Sequence, residues 1–250
     1  MKSLIFSVLL LLAAAPLLPA QDRAAAPTAR PVLTLPLSRG RATVYDLPPA
    51  GPPAAILVFV SGGNGWTFWE ETLCRHLVRN GLYVLGLDLP AYAAAPYTAE
   101  NLASDLERIA AAAVPVQRAD RVPILYGGVG PGAAQALLAA QPPAPARLMG
   151  LLLVNPPARG RCGSGLAERF GMSAGGAGSF SLAAKGAALQ DLPVAAAFDR
   201  NGWFVETGWI DAGAFPHRLF PFALGWNRFL RVDRDLLKAV DGALDWLLHS

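Results

Sequence analysis

The chain has 250 residues, 53% of them hydrophobic and 16% charged, and a formal net charge of +3. A domain of this size buries on the order of 70% of its unfolded surface, so it needs no disulfide framework. Its 21 basic residues are scattered, which argues against a nucleic-acid partner, and two cysteines with three separated histidines make no metal constellation.

Met1-Lys2, the apolar run from Leu4 to Leu18 and the small residue Ala20 have the charge, length and cleavage pattern of a signal peptide over residues 1–20. Pro16 and Pro19 interrupt a run already shorter than the ~20 apolar residues of a membrane span. The alternative is an uncleaved anchor. Residues 21–31, rich in Ala and Pro, read as a disordered lead-in, and residues 32–250 as a single domain. Export permits a bridge between Cys74 and Cys162. The other reading is a buried Cys74 on a helix and a Cys162 in a loop.

The segments 32–37 and 42–46 predict a hairpin around Ser38-Arg39-Gly40. Residues 55–60 form a continuous apolar run, the pattern of a strand covered on both faces. Residues 69–79 are helical, with Leu73, Leu77 and Val78 on one side, and Asn80-Gly81 ends them. Residues 82–87 are the next strand. Thr98 caps a helix through about Ala113 whose stripe is Leu102, Leu106, Ile109 and Ala110. A strand over 122–126, a helix over 132–140 and a strand over 148–154 complete a βαβαβαβ series. That series predicts an α/β fold of three layers, α/β/α, around a mostly parallel sheet with these four strands as neighbours. Residues 156–190 carry no clear pattern. Residues 193–198 read as a further strand ending at Asp199, and 203–209 as another. Residues 233–248 form an amphipathic helix that buries Leu236, Leu237, Val240, Leu244 and Leu247.

Gly128-Val129-Gly130-Pro131-Gly132 lies between a strand and an Ala-rich helix. This is the context of a G-x-S-x-G nucleophile elbow, with both flanking glycines present and Gly130 where the serine belongs. Three further patterns accompany it. Val58-Phe59-Val60-Ser61-Gly62-Gly63-Asn64-Gly65-Trp66 is similar to the strand and Ser-Gly-Asp-Gly-Gly-Trp-like loop of the VirJ/AcvB virulence-factor group in the α/β-hydrolase superfamily. The segment 81–88 is similar to that group's second strand with its Gly-Leu-Asp ending, and 98–106 to its next helix. The resemblance covers about residues 55–155. It implies an α/β-hydrolase-like fold and a periplasmic protein whose hydrolytic relatives act on aminoacylated phospholipid. It also implies that the 61–66 loop supplies an oxyanion-hole amide beside the elbow. The candidate ligand-binding residues are therefore Gly62, Gly63, Asn64, Gly65, Trp66, Gly128, Val129 and Gly130.

The departures from that pattern are large. The family acid follows the 193–198 strand, where Asp199 is the remnant candidate. The family His precedes the last helix in a Gly-His-His-Phe-like loop, and here that region reads Gly225-Trp226-Asn227-Arg228-Phe229. His217 stands about ten residues early, His76 lies in the first crossover helix and His249 at the C-terminus. Nucleophile and base are missing together, and loss of the nucleophile alone costs on the order of 10⁶ in kcat. The chain reads as a non-catalytic binding or accessory protein without cofactor or metal, its partner a lipid headgroup or a catalytic homologue. The alternative is an active esterase or aminoacyl-phospholipid hydrolase that uses another nucleophile, such as Ser164, Ser173, Ser179 or Ser181. Asp88 reads as a loop cap or a binding carboxylate. Arg159 and Arg161 read as a solvated loop or a phosphate grip, and Trp66, Phe68 and Trp69 as pocket lining or sheet packing. A dinucleotide reading of Gly128-x-Gly130-x-x-Ala133 lacks its ribose-binding acid, because no Asp or Glu occurs between Asp120 and Glu168.

Overall fold

The computed structural model of the protein describes residues 32–113, 121–163, 175–202, 206–223 and 232–250. The expected signal peptide over residues 1–20, the expected lead-in over 21–31, Ser164, Ser173 and residues 225–229 lie outside the described residues. The chain opens with the predicted hairpin, β1 (Val32–Leu37) and β2 (Gly40–Leu47). There follow β3 (Ala55–Val60), α1 (Phe68–Arg79), β4 (Leu82–Leu87), a single turn α2 (Leu89–Tyr92) and α3 (Ala99–Ala112). Then come β5 (Ile124–Val129), α4 (Pro131–Ala139) and β6 (Leu148–Val154). A small hairpin of β7 (Arg159–Arg161) and β8 (Ser179–Ser181) leads into α5 (Leu182–Gly186). The chain closes with β9 (Val194–Asp199), α6 (Gly208–Asp211), β10 (His217–Phe222) and α7 (Arg234–Leu248).

Eight strands form one sheet in the order β1-β2-β4-β3-β5-β6-β9-β10. The first two pairings are antiparallel and the rest parallel, so the four strands expected to be neighbours are adjacent and parallel. All six residues of β3 are buried because the sheet is covered on both faces. Alternate residues separate into two cores. Ile56, Val58 and Val60 pack with Leu102, Leu106 and Ile109 of α3 and with the alanines of α4. Leu57 and Phe59 pack with Leu73 and Leu77 of α1 and with Leu236, Val240, Leu244 and Leu247 of α7. The period-2 alternation of the strands and the 3.6 period of the helices thus meet in three layers.

Helix ends follow their local chemistry. Thr67 Oγ1 accepts the Trp69 N–H at 3.1 Å while Glu70 accepts the Thr67 N–H at 2.9 Å, a capping box that starts α1. Thr98 and Asn101 do the same for α3. One buried carboxylate ties the hairpin to the body of the domain. Asp105 on α3 accepts Ser38 N–H at 2.7 Å, Ser38 Oγ–H at 2.6 Å and Tyr92 O–H at 2.9 Å. The Arg39 guanidinium lies over the rings of Tyr92 and Tyr97, at 5.7 and 5.8 Å from their centroids.

Several expectations need correction. Residues 203–209 are not a strand where described: 208–211 form α6, and the edge strand is β10 at 217–222. The β5 strand starts two residues later and ends three residues later than expected, so Gly127, Gly128 and Val129 are strand residues. Leu237 is only half-buried, because the stripe facing the sheet runs through Leu236, Val240 and Leu244. Cys74 and Cys162 are both free. Cys74 belongs to the α1 core and Cys162 packs against the other one, so the sheet separates them.

Candidate functional site

The chain leaves β3 toward β4 on one side and later returns to place β5 on the other side of β3. The carboxyl ends of β3 and β5 therefore flank a topological switch point, the position where open α/β sheets bind ligands. The 61–66 loop leaves β3 there, and Gly130 follows β5. A Cβ built on Gly62 would lie 3.6 Å from Val129 Cγ1, so loop and elbow are in contact.

The strand-to-helix turn at Gly130 is sharp. Gly130 takes φ 52° and ψ −119°, a conformation that L side chains rarely adopt, and α4 starts at the next residue, Pro131. The Gly130 N–H donates to Val154 O at 2.8 Å, and its carbonyl accepts the Ala133 N–H at 3.0 Å. Added Cβ atoms test the three glycines separately. At Gly130 a Cβ meets nothing within 4 Å, so the position where a nucleophile side chain would begin is open. At Gly132 it would lie 2.2 Å from Val60 O, and at Gly128 it would lie 2.5 Å from the Gly132 carbonyl carbon. The flanking glycines are there because α4 packs directly on the end of β3. The central one relieves backbone strain.

The 61–66 loop is a tight turn in which most N–H groups already have partners. Gly62 N–H donates to Glu70 Oε1 at 3.3 Å, Gly65 N–H to Gly62 O at 3.1 Å and Trp66 N–H to Asp88 Oδ2 at 2.9 Å. The N–H groups of Gly63 and Asn64 make no hydrogen bond among the described residues. Ser61 is fully buried and holds the start of α2, its Oγ accepting Leu89 N–H at 2.9 Å. Trp66 belongs to the sheet packing rather than to the loop surface. It stacks on Tyr45 with ring centroids 4.5 Å apart, donates Nε1–H to Glu71 at 2.9 Å and fills the space where Gly86 has no side chain. Phe68 remains 68% exposed beside it, at the first position of α1. Asp88 is the cap of α2, accepting Ala91 N–H at 2.9 Å, as well as the anchor of Trp66.

Asp199 ends β9, buried, on the same edge of the sheet as Gly130. Its Oδ1 accepts Asn201 N–H at 3.0 Å. Between the two stands Asn155, held at φ 48°, whose Oδ1 accepts Asp199 N–H at 2.8 Å. None of the three histidines joins them. His217 opens β10, in register with Val194 at the amino-terminal edge of the sheet, and bonds Phe215 O at 3.0 Å. His76, in the last turn of α1, meets Asp241 of α7 at 2.6 Å, and His249 caps the C-terminal end of α7. A helix that follows a parallel strand runs back toward the opposite edge, so the last turn of each lies away from Gly130.

The remaining sequence candidates serve the scaffold. Ser179 accepts from Arg159 at 3.2 Å, Ser181 caps α5, and Arg161 offers its carbonyl to Gln135 Nε2 at 3.0 Å. Sequence reading missed Glu70, the buried carboxylate that organises both the loop and the start of α1. Its signal was the Thr67-x-x-Glu70 capping box. With Glu71, Glu70 surrounds Cys74, whose thiol is pushed well above its usual range, first by burial and then by these two carboxylates. Among the described residues no group of His, Cys, Asp and Glu could hold a metal ion, and no helix is long and apolar enough to cross a membrane.

No curated protein matches the chain in sequence. Solved structures match it at low identity. The dienelactone hydrolase of Anabaena variabilis is 15% identical with a TM-score of 0.62, covering 88% of this chain and 97% of that one. The esterase domain of a Rhodothermus marinus protein is 16% identical with a TM-score of 0.62, covering 88% and 98%. Est1E of Butyrivibrio proteoclasticus is 12% identical with a TM-score of 0.60, covering 87% and 98%. The protein has the α/β-hydrolase fold, and its residues 54–152, from β3 to β6, match the family described as bacterial virulence protein (VirJ).

Proposed function

We propose that this is an exported, non-catalytic protein of VirJ/AcvB type that uses a hydrolase cleft for binding. It acts in the periplasm on a lipid headgroup or on a catalytic homologue. One observation carries the reading: at the elbow, Gly130 has the strained backbone of a nucleophile position and no side chain. The placement of all three histidines away from that edge supports it, because a serine hydroxyl needs an adjacent base to attack. The open space above Gly130, where an added Cβ meets nothing within 4 Å, is the volume such a ligand would enter.

The decisive experiment mixes purified mature protein with vesicles containing aminoacylated phosphatidylglycerol. A lipid headgroup as partner predicts co-flotation with the vesicles, and either partner predicts no release of the amino acid. Release of the amino acid would overturn the non-catalytic assignment. Export is checked by sequencing the N-terminus of protein recovered from a Gram-negative periplasm, which is expected to begin near residue 21; full-length protein retained in the cytosol would contradict it.

A further inference from the structure

An acyl-transfer site of this fold has two backbone N–H groups aimed at the developing oxyanion. One comes from the loop after β3, the other from the residue that follows the nucleophile. In this chain the residue after Gly130 is Pro131, which has no N–H. The loop half keeps its donors, since Gly63 and Asn64 carry amides without hydrogen-bond partners among the described residues. The elbow half is absent for a covalent reason, whatever residue stands at 130. Two of the neighbouring N–H groups are already engaged, that of Gly130 by Val154 O and that of Ala133 by Gly130 O, and that of Gly132 stands one residue further into α4 than the motif's donor.

We infer that Pro131 has dismantled the oxyanion site of this elbow, independently of the missing nucleophile. The inference rests on the reading of the cleft as a hydrolase site without chemistry, and goes beyond it. It means that the ligand is not gripped by an acyl oxygen between two amides, and that restoring a nucleophile alone leaves the site without the elbow half of its electrophilic assistance. Helix chemistry shows why proline is tolerated. At the first position of a helix its fixed φ is already suitable and its missing N–H has no intrahelical partner to lose. In an active hydrolase the loss falls on the reaction. Here it leaves only a well-started helix.

A thiol introduced at the elbow tests this. Gly130→Cys is made in a Cys162→Ser background, because Cys162 is half-exposed, whereas Cys74 is fully buried with its thiol raised. The thiolate is offered p-nitrophenyl acetate. Its sulfur adds to the carbonyl carbon, negative charge gathers on the carbonyl oxygen, the C–O bond breaks, and p-nitrophenolate leaves with the acetyl group on Sγ. The same thiol is separately offered iodoacetamide, where sulfur displaces iodide and no oxyanion forms. The ratio of acylation to alkylation rates therefore reports oxyanion assistance and is insensitive to thiol exposure or acidity. Adding Pro131→Ala, which restores the N–H, is expected to raise that ratio on the order of 10²-fold. Pro131→Ser, which also carries an N–H, is run alongside, with circular dichroism confirming the wild-type fold of each variant. A ratio unchanged or lowered in both double variants would overturn the inference. Failure here is distinct from failure of the non-catalytic reading, which is decided by turnover in the wild-type protein.

Discussion

Gly130→Ser is the substitution that separates backbone strain from chemistry at the elbow. The new side chain has room, because a Cβ at this position meets nothing within 4 Å. The cost is therefore conformational. Holding a non-glycine residue at φ 52° and ψ −119° is expected to destabilise the protein by about 1–3 kcal/mol. For a domain of this size each kcal/mol lowers Tm by roughly 2–4 °C, so the melting point should fall by several degrees. Gly132→Ala provides the contrast. Its backbone is helical, but the Cβ would lie 2.2 Å from Val60 O and 2.4 Å from Ser61 O, and backbone atoms cannot rotate away. Relief requires α4 to move about 1 Å off the end of β3, an overpacking cost that exceeds strain alone. Thermal melts of the two variants should rank Gly132→Ala as the more damaging. Gly130→Ser should also show no ester turnover, since none of the three histidines is placed to take its proton. A Gly130→Ser protein as stable as wild type, or a harmless Gly132→Ala, would refute this account of the elbow.

Three other outcomes are expected. Asp105→Ala removes the acceptor of two Ser38 donors and the Tyr92 hydroxyl, which should cost about 2–5 kcal/mol in urea unfolding, with Asp105→Asn recovering part of it; equal stability of all three proteins would show that the hairpin is held by something else. Thiol titration should find Cys162 reactive in the native protein and Cys74 only after unfolding, and a mass that reveals a disulfide would contradict the sheet's separation of the two. The Cys74 thiol is raised in the folded state, so its contribution to stability is present below its ordinary value of 9.0 and lost as pH climbs above it. Buried Tyr92 and Tyr126 act in the same direction from 10.0 upward. Urea midpoints should therefore fall from about pH 9, and Cys74→Ala should flatten the first part of that fall; a midpoint that rises would contradict the assignment.

How much of this was legible in the sequence depended on which force set each feature. The buried runs at 55–60 and 148–154, and the stripe Leu102, Leu106, Ile109, named their elements because hydrophobic period alone places them. The cap at Thr98 was readable because a side chain satisfies its own neighbouring backbone. The stretch 203–209 misled, since Trp203 and Trp209 suggested a strand while tertiary packing of Trp209 against Phe215 and Gly186 turned 208–211 into a helix. The edge strand at 217–222 escaped notice because Pro221 weakens a strand pattern everywhere except at an edge. Gly128, Gly130 and Gly132 were legible as a motif, but their separate reasons were not. Two of them avoid backbone carbonyls that only the fold brings near, and one relieves a turn. Glu70 was readable only through its local capping box with Thr67, and Asn155 had no signal at all, because the N–H it receives comes from Asp199, far along the chain.

The claim at the centre of the account is that this protein performs no ester hydrolysis, in the cleft at Gly130 or elsewhere. It is tested most directly by measuring p-nitrophenyl ester turnover for purified mature protein beside Gly130→Val, which blocks the open space above the elbow. The account predicts no turnover above buffer for either protein. Turnover by the wild type that is lost in Gly130→Val would place chemistry in this cleft, and turnover that survives the substitution would place a nucleophile elsewhere in the chain; either result would contradict it.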